Sequence, residues 1–268
     1  MGSLGSSALA GLGVVVTRPE AQALGLCERI AQAGGTAIRF PTIEIVPSHD
    51  EGAADLLGRG DFDLLIFISA NAVSHGLPQL RRGHAPVFAV GRATEAALAG
   101  AGFAVAARPV APFNSEALLA LSELNAVRGK RVLIVRGSGG RELLAETLRS
   151  RGARVDYADV YRRRRPDTPE SVLFAGWVAG DIHAITATSV ETLDNLHAML
   201  GPAARALLLN TPLVVASERV RERALGLGFR ASVLVARDAG DAAMMEALAE
   251  IASGHADTIP SPRGTLER

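Results

Sequence analysis

The residues of this chain best suited to chemistry lie in six short turns, each where an apolar, β-branched run gives way to a helix-forming stretch. They are Thr17-Arg18-Pro19, Ser69-Ala70-Asn71, Gly91-Arg92-Ala93-Thr94, Gly137-Ser138-Gly139-Gly140-Arg141, Thr188-Ser189 and Ser217-Glu218-Arg219. Small and hydroxylated residues at such points cap helices by accepting hydrogen bonds from the first unpaired N–H groups, which is by itself a sufficient structural reason for them. The set has a second reading. Open parallel sheets bind ligands outside the carboxyl ends of their strands, and several helix N-termini aimed at one place present N–H donors and positive dipole ends to an anion. Arginines beside four of the six turns strengthen that field. The pattern suits a ligand that carries several carboxylates or phosphates.

Other chemistries are excluded by spacing. Gly137-Ser138-Gly139-Gly140-Arg141-Glu142 follows a strand, but a dinucleotide fingerprint requires glycine where Glu142 stands, and the Gly-Lys-Ser/Thr ending of a P-loop is missing. His49, His75, His84, His183, His197 and His255 show no metal-ligand spacing with one another or with Cys27. Ser69 and Ser189 are not in a Gly-x-Ser-x-Gly elbow. Tyr157 and Tyr161 are the two tyrosines. Tyr157 falls in a strand pattern and reads as a core or sheet-face aromatic. Tyr161 stands where the chain leaves one lobe for another, a place that serves equally for an aromatic packing a hinge and for a phenol on the floor of a ligand cleft. The following run, Arg162 to Arg165, is either a solvated linker or a source of positive potential near such a cleft.

The elements that must position these turns occur twice. Val14 to Pro19, a helical stretch ending at Gly34-Gly35, and Ala37 to Phe40 match Arg131 to Arg136, a helix ending at Gly152, and Arg154 to Tyr157. Leu64 to Ser69 matches Ile182 to Ser189, and Pro86 to Val90 matches Pro212 to Ala216, with Gly102-Phe103 and Gly228-Phe229 in step. Ordered matches at a nearly constant offset indicate an internal duplication with insertions in loops. Short apolar runs alternating with Ala/Leu/Glu/Arg-rich helices predict parallel α/β layers with both sheet faces covered. The predicted fold is therefore two similar flavodoxin-like α/β lobes with a ligand cleft between them. Phe40 to Pro47 and Val160 to Pro166 read as two crossings lying side by side as a hinge. One lobe is then residues 13–40 with 167–254, the other 41–166, with crossings near 41–47 and 160–166 and loose tails at 1–12 and 255–268.

A length of 268 residues is enough for about two domains with separate cores. Apolar residues make up 48% and charged residues 21%, which excludes global disorder. The 28 basic and 28 acidic residues cancel, against a nucleic-acid or membrane-surface protein built on bulk charge. No apolar run approaches the roughly 20 residues that span a bilayer, the N-terminus does not read as a secretory signal, and Cys27 has no internal partner. A cytoplasmic setting is expected, with Cys27 as a small buried hydrophobe.

The ordered set Val16-Thr17-Arg18-Pro19, Phe40-Pro41-Thr42-Ile43-Glu44-Ile45, Ile66 to Val73, Ala89 to Thr94, Val135 to Arg141 and Val160-Tyr161-Arg162-Arg163 resembles the uroporphyrinogen-III synthase family. The resemblance covers about Val14 to Ile251. It implies a cofactor-free enzyme of tetrapyrrole biosynthesis, acting as a monomer, that takes hydroxymethylbilane, expels its terminal hydroxyl as water and closes the macrocycle with the last pyrrole ring inverted. In that family the reaction is thought to pass through a spirocyclic intermediate. The substrate carries acetate and propionate arms on every ring, so it is a polyanion of the kind the turns call for, and it would come by transient hand-off from hydroxymethylbilane synthase. Carried over by position, Tyr161 matches a tyrosine placed to act as general acid. Thr17, Arg18, Ser69, Thr94, Gly137, Gly140 and Ser189 match turns that bind the substrate. Where relatives often carry Gly-x-x-Thr, this chain has Ala216-Ser217-Glu218-Arg219-Val220, so that Ser217 or Arg219 would have to supply those contacts. A reading from another class is a non-catalytic two-lobed binding protein for a polyanionic small molecule.

Overall fold

The computed structural model describes residues 7–81, 83–109, 113–140 and 142–256. Its strands are β1 (Gly13–Val16), β2 (Thr36–Arg39), β3 (Glu44–Pro47), β4 (Leu64–Phe67), β5 (Val87–Ala89), β6 (Val105–Ala107), β7 (Arg131–Gly137), β8 (Arg154–Arg164), β9 (Ala184–Ala187), β10 (Leu213–Val215) and β11 (Val233–Val235). Its helices are α1 (Glu20–Gln32), α2 (Glu51–Arg59), α3 (Ala70–Gly76), α4 (Arg92–Gly100), α5 (Ser115–Leu119), α6 (Leu143–Ser150), α7 (Ser171–Ala179), α8 (Val190–Met199), α9 (Pro202–Leu209), α10 (Glu218–Leu227) and α11 (Asp241–Ala256). The chain forms two compact units, one running to Glu44 and resuming at Arg165, the other Ile45–Arg164.

The first unit is built on a five-stranded parallel sheet in the order β11-β10-β9-β1-β2. Every residue of β1 and β9 is buried, as strands covered on both faces must be, while the edge strands β2 and β11 are partly exposed. Side chains alternate between the faces with the period of two of a strand. Val14 and Val16 pack with Leu26 and Ile30 of α1 and with Met244 and Leu248 of α11, whereas Val15 joins Ile185, Leu196 and Leu208 on the opposite side. Gly13 begins β1 because no larger residue fits: an added Cβ would lie 1.6 Å from the Asp181 carbonyl oxygen. The loose N-terminal tail expected at 1–12 needs correcting where it is described. Leu9 and Leu12 are fully or almost fully buried against the α1 face of the sheet, because their apolar side chains complete that core. Residues 1–6 of that tail, and residues 257–268 of the C-terminal one, lie outside the described residues.

The second unit holds a six-stranded sheet in the order β3-β8-β7-β4-β5-β6, with β4 to β8 mutually parallel. Leu65, Phe67, Leu133 and Val135 face one layer of helices, and Leu64, Ile66, Val132 and Ile134 the other. One expectation changes here. Arg154 to Tyr157 and Val160 to Pro166 do not divide into a strand and a separate crossing. A single strand of 11 residues takes in the first and continues to Arg164 in the second, its ladder to β7 running from Arg154 as far as Tyr161. β3 is its neighbour on the other side, and the Ser48 N–H donates to the Val160 carbonyl at 3.0 Å.

Each unit combines a βαβ pair with a run of three strands. The pair is β1-α1-β2 in the first unit and β7-α6-β8 in the second; the run is β9-β10-β11 in the first and β4-β5-β6 in the second. In the first unit the pair precedes the run along the chain, and in the second it follows it. The strand order reverses between β1 and β9 and between β7 and β4, so each sheet has its topological switch point there. Among the described residues no helix is long and apolar enough to cross a membrane.

Candidate functional site

The turns beyond β4 and β7, which straddle the switch point of the second unit, bring Ser69, Gly137 and Tyr161 together. Ser69 lies just beyond β4 and caps α3, its Oγ accepting from the Ala72 N–H at 3.0 Å. The same Oγ lies 3.2 Å from the Tyr161 hydroxyl. Tyr161 is only 3% exposed and packs within the core layer that includes Phe67, Val73 and Val135, its ring 5.9 Å from that of His75. Its ring is thus part of the core of the second unit, and its hydroxyl reaches the turn after β4. Gly137 pairs with Tyr161 just after a register shift in the β7–β8 ladder. A Cβ at Gly137 would stand 2.5 Å from the tyrosine Cε2 and Cζ, so its glycine is demanded by the flat ring lying on its backbone. Gly139 and Gly140 have φ of 78° and 121°, a turn that glycine alone enters cheaply. Arg141 of the same turn lies outside the described residues. Thr94 is almost fully buried in the first turn of α4.

On the other face of this sheet lies a cluster that sequence reasoning missed. Arg136 is 8% exposed, its Nε donating to Asp159 at 2.9 Å and its Nη1 to Glu142 at 3.0 Å. Its guanidinium carbon sits 3.4 Å from the centroid of the Tyr157 ring, and the Tyr157 hydroxyl donates to Glu142 at 2.7 Å. Burial and the Glu142 bond push the Tyr157 phenol up to about 12. Hydrogen bonds from Tyr157 and Arg136 hold Glu142 below the usual carboxylate range. Burial opposes the charge of Arg136, but its bonds to Asp159 and Glu142 more than offset that and raise it. Arg136 and Tyr157 line a cavity of about 290 Å³ that also meets Ile68, Asn114, Ser115, Gly139 and Gly140. The available signal was an arginine directly after the apolar run Val132 to Val135, within the same strand.

In the first unit the turns after β1 and β9 flank the switch point. Thr17 is fully buried and its Oγ1 donates to the Thr186 carbonyl at 2.5 Å, tying the ends of β1 and β9 together. Arg18 is 8% exposed, ion-paired with Asp241 and donating through Nη2 to the Ala239 carbonyl at 2.7 Å. Both side chains are therefore engaged within the unit, and the charge of Arg18 is neutralised there. Ser189 caps α8, accepting from the Thr192 N–H at 3.1 Å. Ser217 occupies the corresponding place before α10 but makes no side-chain capping bond. Among the described residues no group of three His, Cys, Asp or Glu side chains is arranged to hold a metal ion.

Two doubly wound parallel units, each with small and hydroxylated residues in the turns at its switch point, define a class of duplicated α/β proteins that meet small ligands beyond the ends of their strands. The family model described as Uroporphyrinogen-III synthase HemD matches residues 25–246, and the chain belongs to the uroporphyrinogen-III synthase family. It is 34% identical over 246 residues to the uroporphyrinogen-III synthase of Escherichia coli (strain K12), covering 88% of this chain and 100% of that protein. It is 36% identical over 249 residues to the uroporphyrinogen-III synthase of Salmonella typhimurium, with the same coverage of both chains. Among solved structures, the uroporphyrinogen-III synthetase from Helicobacter pylori 26695 shares the fold with a TM-score of 0.58 at 17% identity, over 88% of this chain and 97% of that one. A mutant uroporphyrinogen III synthase from the extremely thermophilic bacterium Thermus thermophilus gives 0.56 at 16% identity, over 91% and 99%.

Proposed function

We propose that this chain is a cofactor-independent lyase that converts hydroxymethylbilane to uroporphyrinogen III, closing the linear tetrapyrrole with its last ring inverted and releasing water. The observation that carries this reading is the match along 88% of the chain to relatives of that name, each covered over 100% of its length. The site chemistry agrees with it. A polyanionic substrate needs many donors and few reactive groups, and the turns after β1, β4, β5, β7 and β9 supply them at Thr17, Arg18, Ser69, Thr94, Gly137, Gly140 and Ser189. At Thr17 and Arg18 this contribution falls to the main chain, since both side chains are already bonded.

The reaction asks two things of the protein. The terminal carbon–oxygen bond must break with its electron pair leaving on oxygen, which takes a proton and departs as water. The cationic chain end must then be held so that a new carbon–carbon bond forms at the substituted carbon of the last ring; that carbon's bond to the methylene bridge of the preceding ring then breaks and is remade at the free carbon, which inverts the ring, and the free carbon releases its proton. Orientation of this kind contributes several kcal/mol without any reactive side chain. For the proton, Tyr161 is the source we assign, and the proton released at closure restores its phenol. We further place the enzyme in the cytoplasm as a monomer that receives its substrate from hydroxymethylbilane synthase.

The test is to incubate the purified, chelator-treated protein with freshly generated hydroxymethylbilane and identify the porphyrin isomer after oxidation. The type III isomer is expected. Type I product alone, the outcome of unassisted closure, would leave a protein that at most binds the polyanion.

A further inference from the structure

Burial of the Tyr161 ring favours one direction for its hydrogen bond with Ser69. Tyr161 is 3% exposed, and among the described residues its hydroxyl has Ser69 Oγ as its hydrogen-bond partner. A hydroxyl carries one proton and two acceptor lone pairs. Were Ser69 the donor, the phenol proton of this buried residue would have no acceptor among the described residues, which costs folding energy. With Tyr161 as the donor, both lone pairs of Ser69 are filled, one by the phenol and one by the Ala72 N–H. The proton left over is then that of Ser69, the less buried partner. The separation of 3.2 Å is long for two hydroxyls, as catalytic hydrogen bonds often are before a ligand tightens them.

Resting on the reading of this chain as a synthase with Tyr161 as its proton source, we propose that Ser69 is the catalytic residue that touches the leaving hydroxyl, and that Tyr161 acts through it in a two-proton relay. The carbon–oxygen electrons leave on oxygen, which takes the Ser69 proton and departs as water, while Ser69 Oγ takes the proton of Tyr161. A phenolate and a cationic chain end remain. The proton set free at ring closure returns to the phenolate through Ser69, so neither residue is consumed. The ring is kept in register by the bare backbone of Gly137, where a Cβ would come within 2.5 Å of it.

The experiment compares the full chain with S69A, S69G, S69T, Y161F and S69A/Y161F, measuring turnover of hydroxymethylbilane, affinity for uroporphyrinogen III and the rate in mixtures of light and heavy water. S69A and Y161F should each lower kcat by about 10²–10⁴-fold, as loss of a general acid does, with product affinity little changed. The double variant should be no slower than the slower single one. S69T should recover most of the activity. S69G should be as slow as S69A, although glycine caps a helix almost as well as serine. The wild-type rate should fall along a curve with deuterium fraction, the signature of two protons in flight. Normal turnover in Y161F would remove Tyr161 as the proton source and the relay with it. Slow Y161F beside normal S69A would overturn the relay and leave Tyr161 acting directly. Losses that multiply in the double variant would show Ser69 acting independently on the ligand, and an active S69G would reduce Ser69 to a cap. A wild-type protein that yields only the type I isomer is a different failure, that of the synthase reading itself.

Discussion

Gly137 and Gly140 stand three positions apart in one turn and are glycine for unrelated reasons. Gly140 has a φ of 121° with open space around its Cβ position, so G140A meets backbone strain, for which about 1–3 kcal/mol is expected. Gly137 has no such φ, but a Cβ there would run into the Tyr161 ring. G137A should therefore cost about 1–3 kcal/mol through overpacking and also break the Tyr161–Ser69 contact. Urea unfolding should rank the two variants alike, while turnover should fall more in G137A than in G140A. Tyr157 allows a cleaner measurement, because the chain has only two tyrosines. In Y161F, ultraviolet titration should show a single phenol ionising at about 12, and E142Q should bring it down by removing the hydrogen-bonded carboxylate. A folded-state value above the ordinary phenol range means that the unfolded chain ionises first. The stability linked to Tyr157 is therefore complete below roughly pH 10 and is lost as pH rises toward about 12.

Among the elements, central strands were the most legible. β1 and β4 are uninterrupted apolar runs and β9 is broken by Thr186 alone, and each is buried at every residue. β3 and the far end of β8 were harder to read, because Pro41, Pro47 and the arginines up to Arg165 look like linker, whereas their backbones pair as strands. The polar turns were legible by residue type alone. What they touch was not: Ser69 and Tyr161 are 92 residues apart, and their contact depends on a register shift at Gly137 that no periodicity announces. Burial of Leu9 and Leu12 was hidden for a similar reason, since a Gly/Ser/Ala-rich segment gives no hint of the core that its leucines complete. The α1 interface makes this scale testable. Leu26 is fully buried between α1, the sheet and α11, and L26A should cost about 2–5 kcal/mol, seen as a lower urea midpoint with unchanged slope.

For the whole molecule, two cores in one chain predict two separable transitions, and the protein carries its own probe for telling them apart. Its single tryptophan, Trp177, lies in the first unit, where its Nε1–H donates to Thr211 Oγ1 at 2.9 Å. Tryptophan fluorescence should therefore follow that unit, and L26A should shift its unfolding curve. L133A removes a fully buried side chain of the second unit and should shift the circular dichroism of the remaining transition by about 2–5 kcal/mol while the fluorescence midpoint stays in place. Joint movement of both signals would mean that the two cores unfold as one. The placing of the strand pair before the run in one unit and after it in the other also matters at birth. β1 and β2 emerge from the ribosome long before their partner β9, and synthesis at about 5–20 residues per second leaves the open edge of Val14-Val15-Val16 waiting on the order of ten seconds. The unit made meanwhile shortens the search. Its first strand, β3, and its last, β8, are hydrogen-bonded neighbours, so its folding draws a long loop shut and lowers the entropic cost of joining β1 to β9 by about 1.5 kcal/mol. The inserted unit is in this sense an internal chaperone, and substitutions that weaken it should slow the assembly of a sheet to which it contributes no strand.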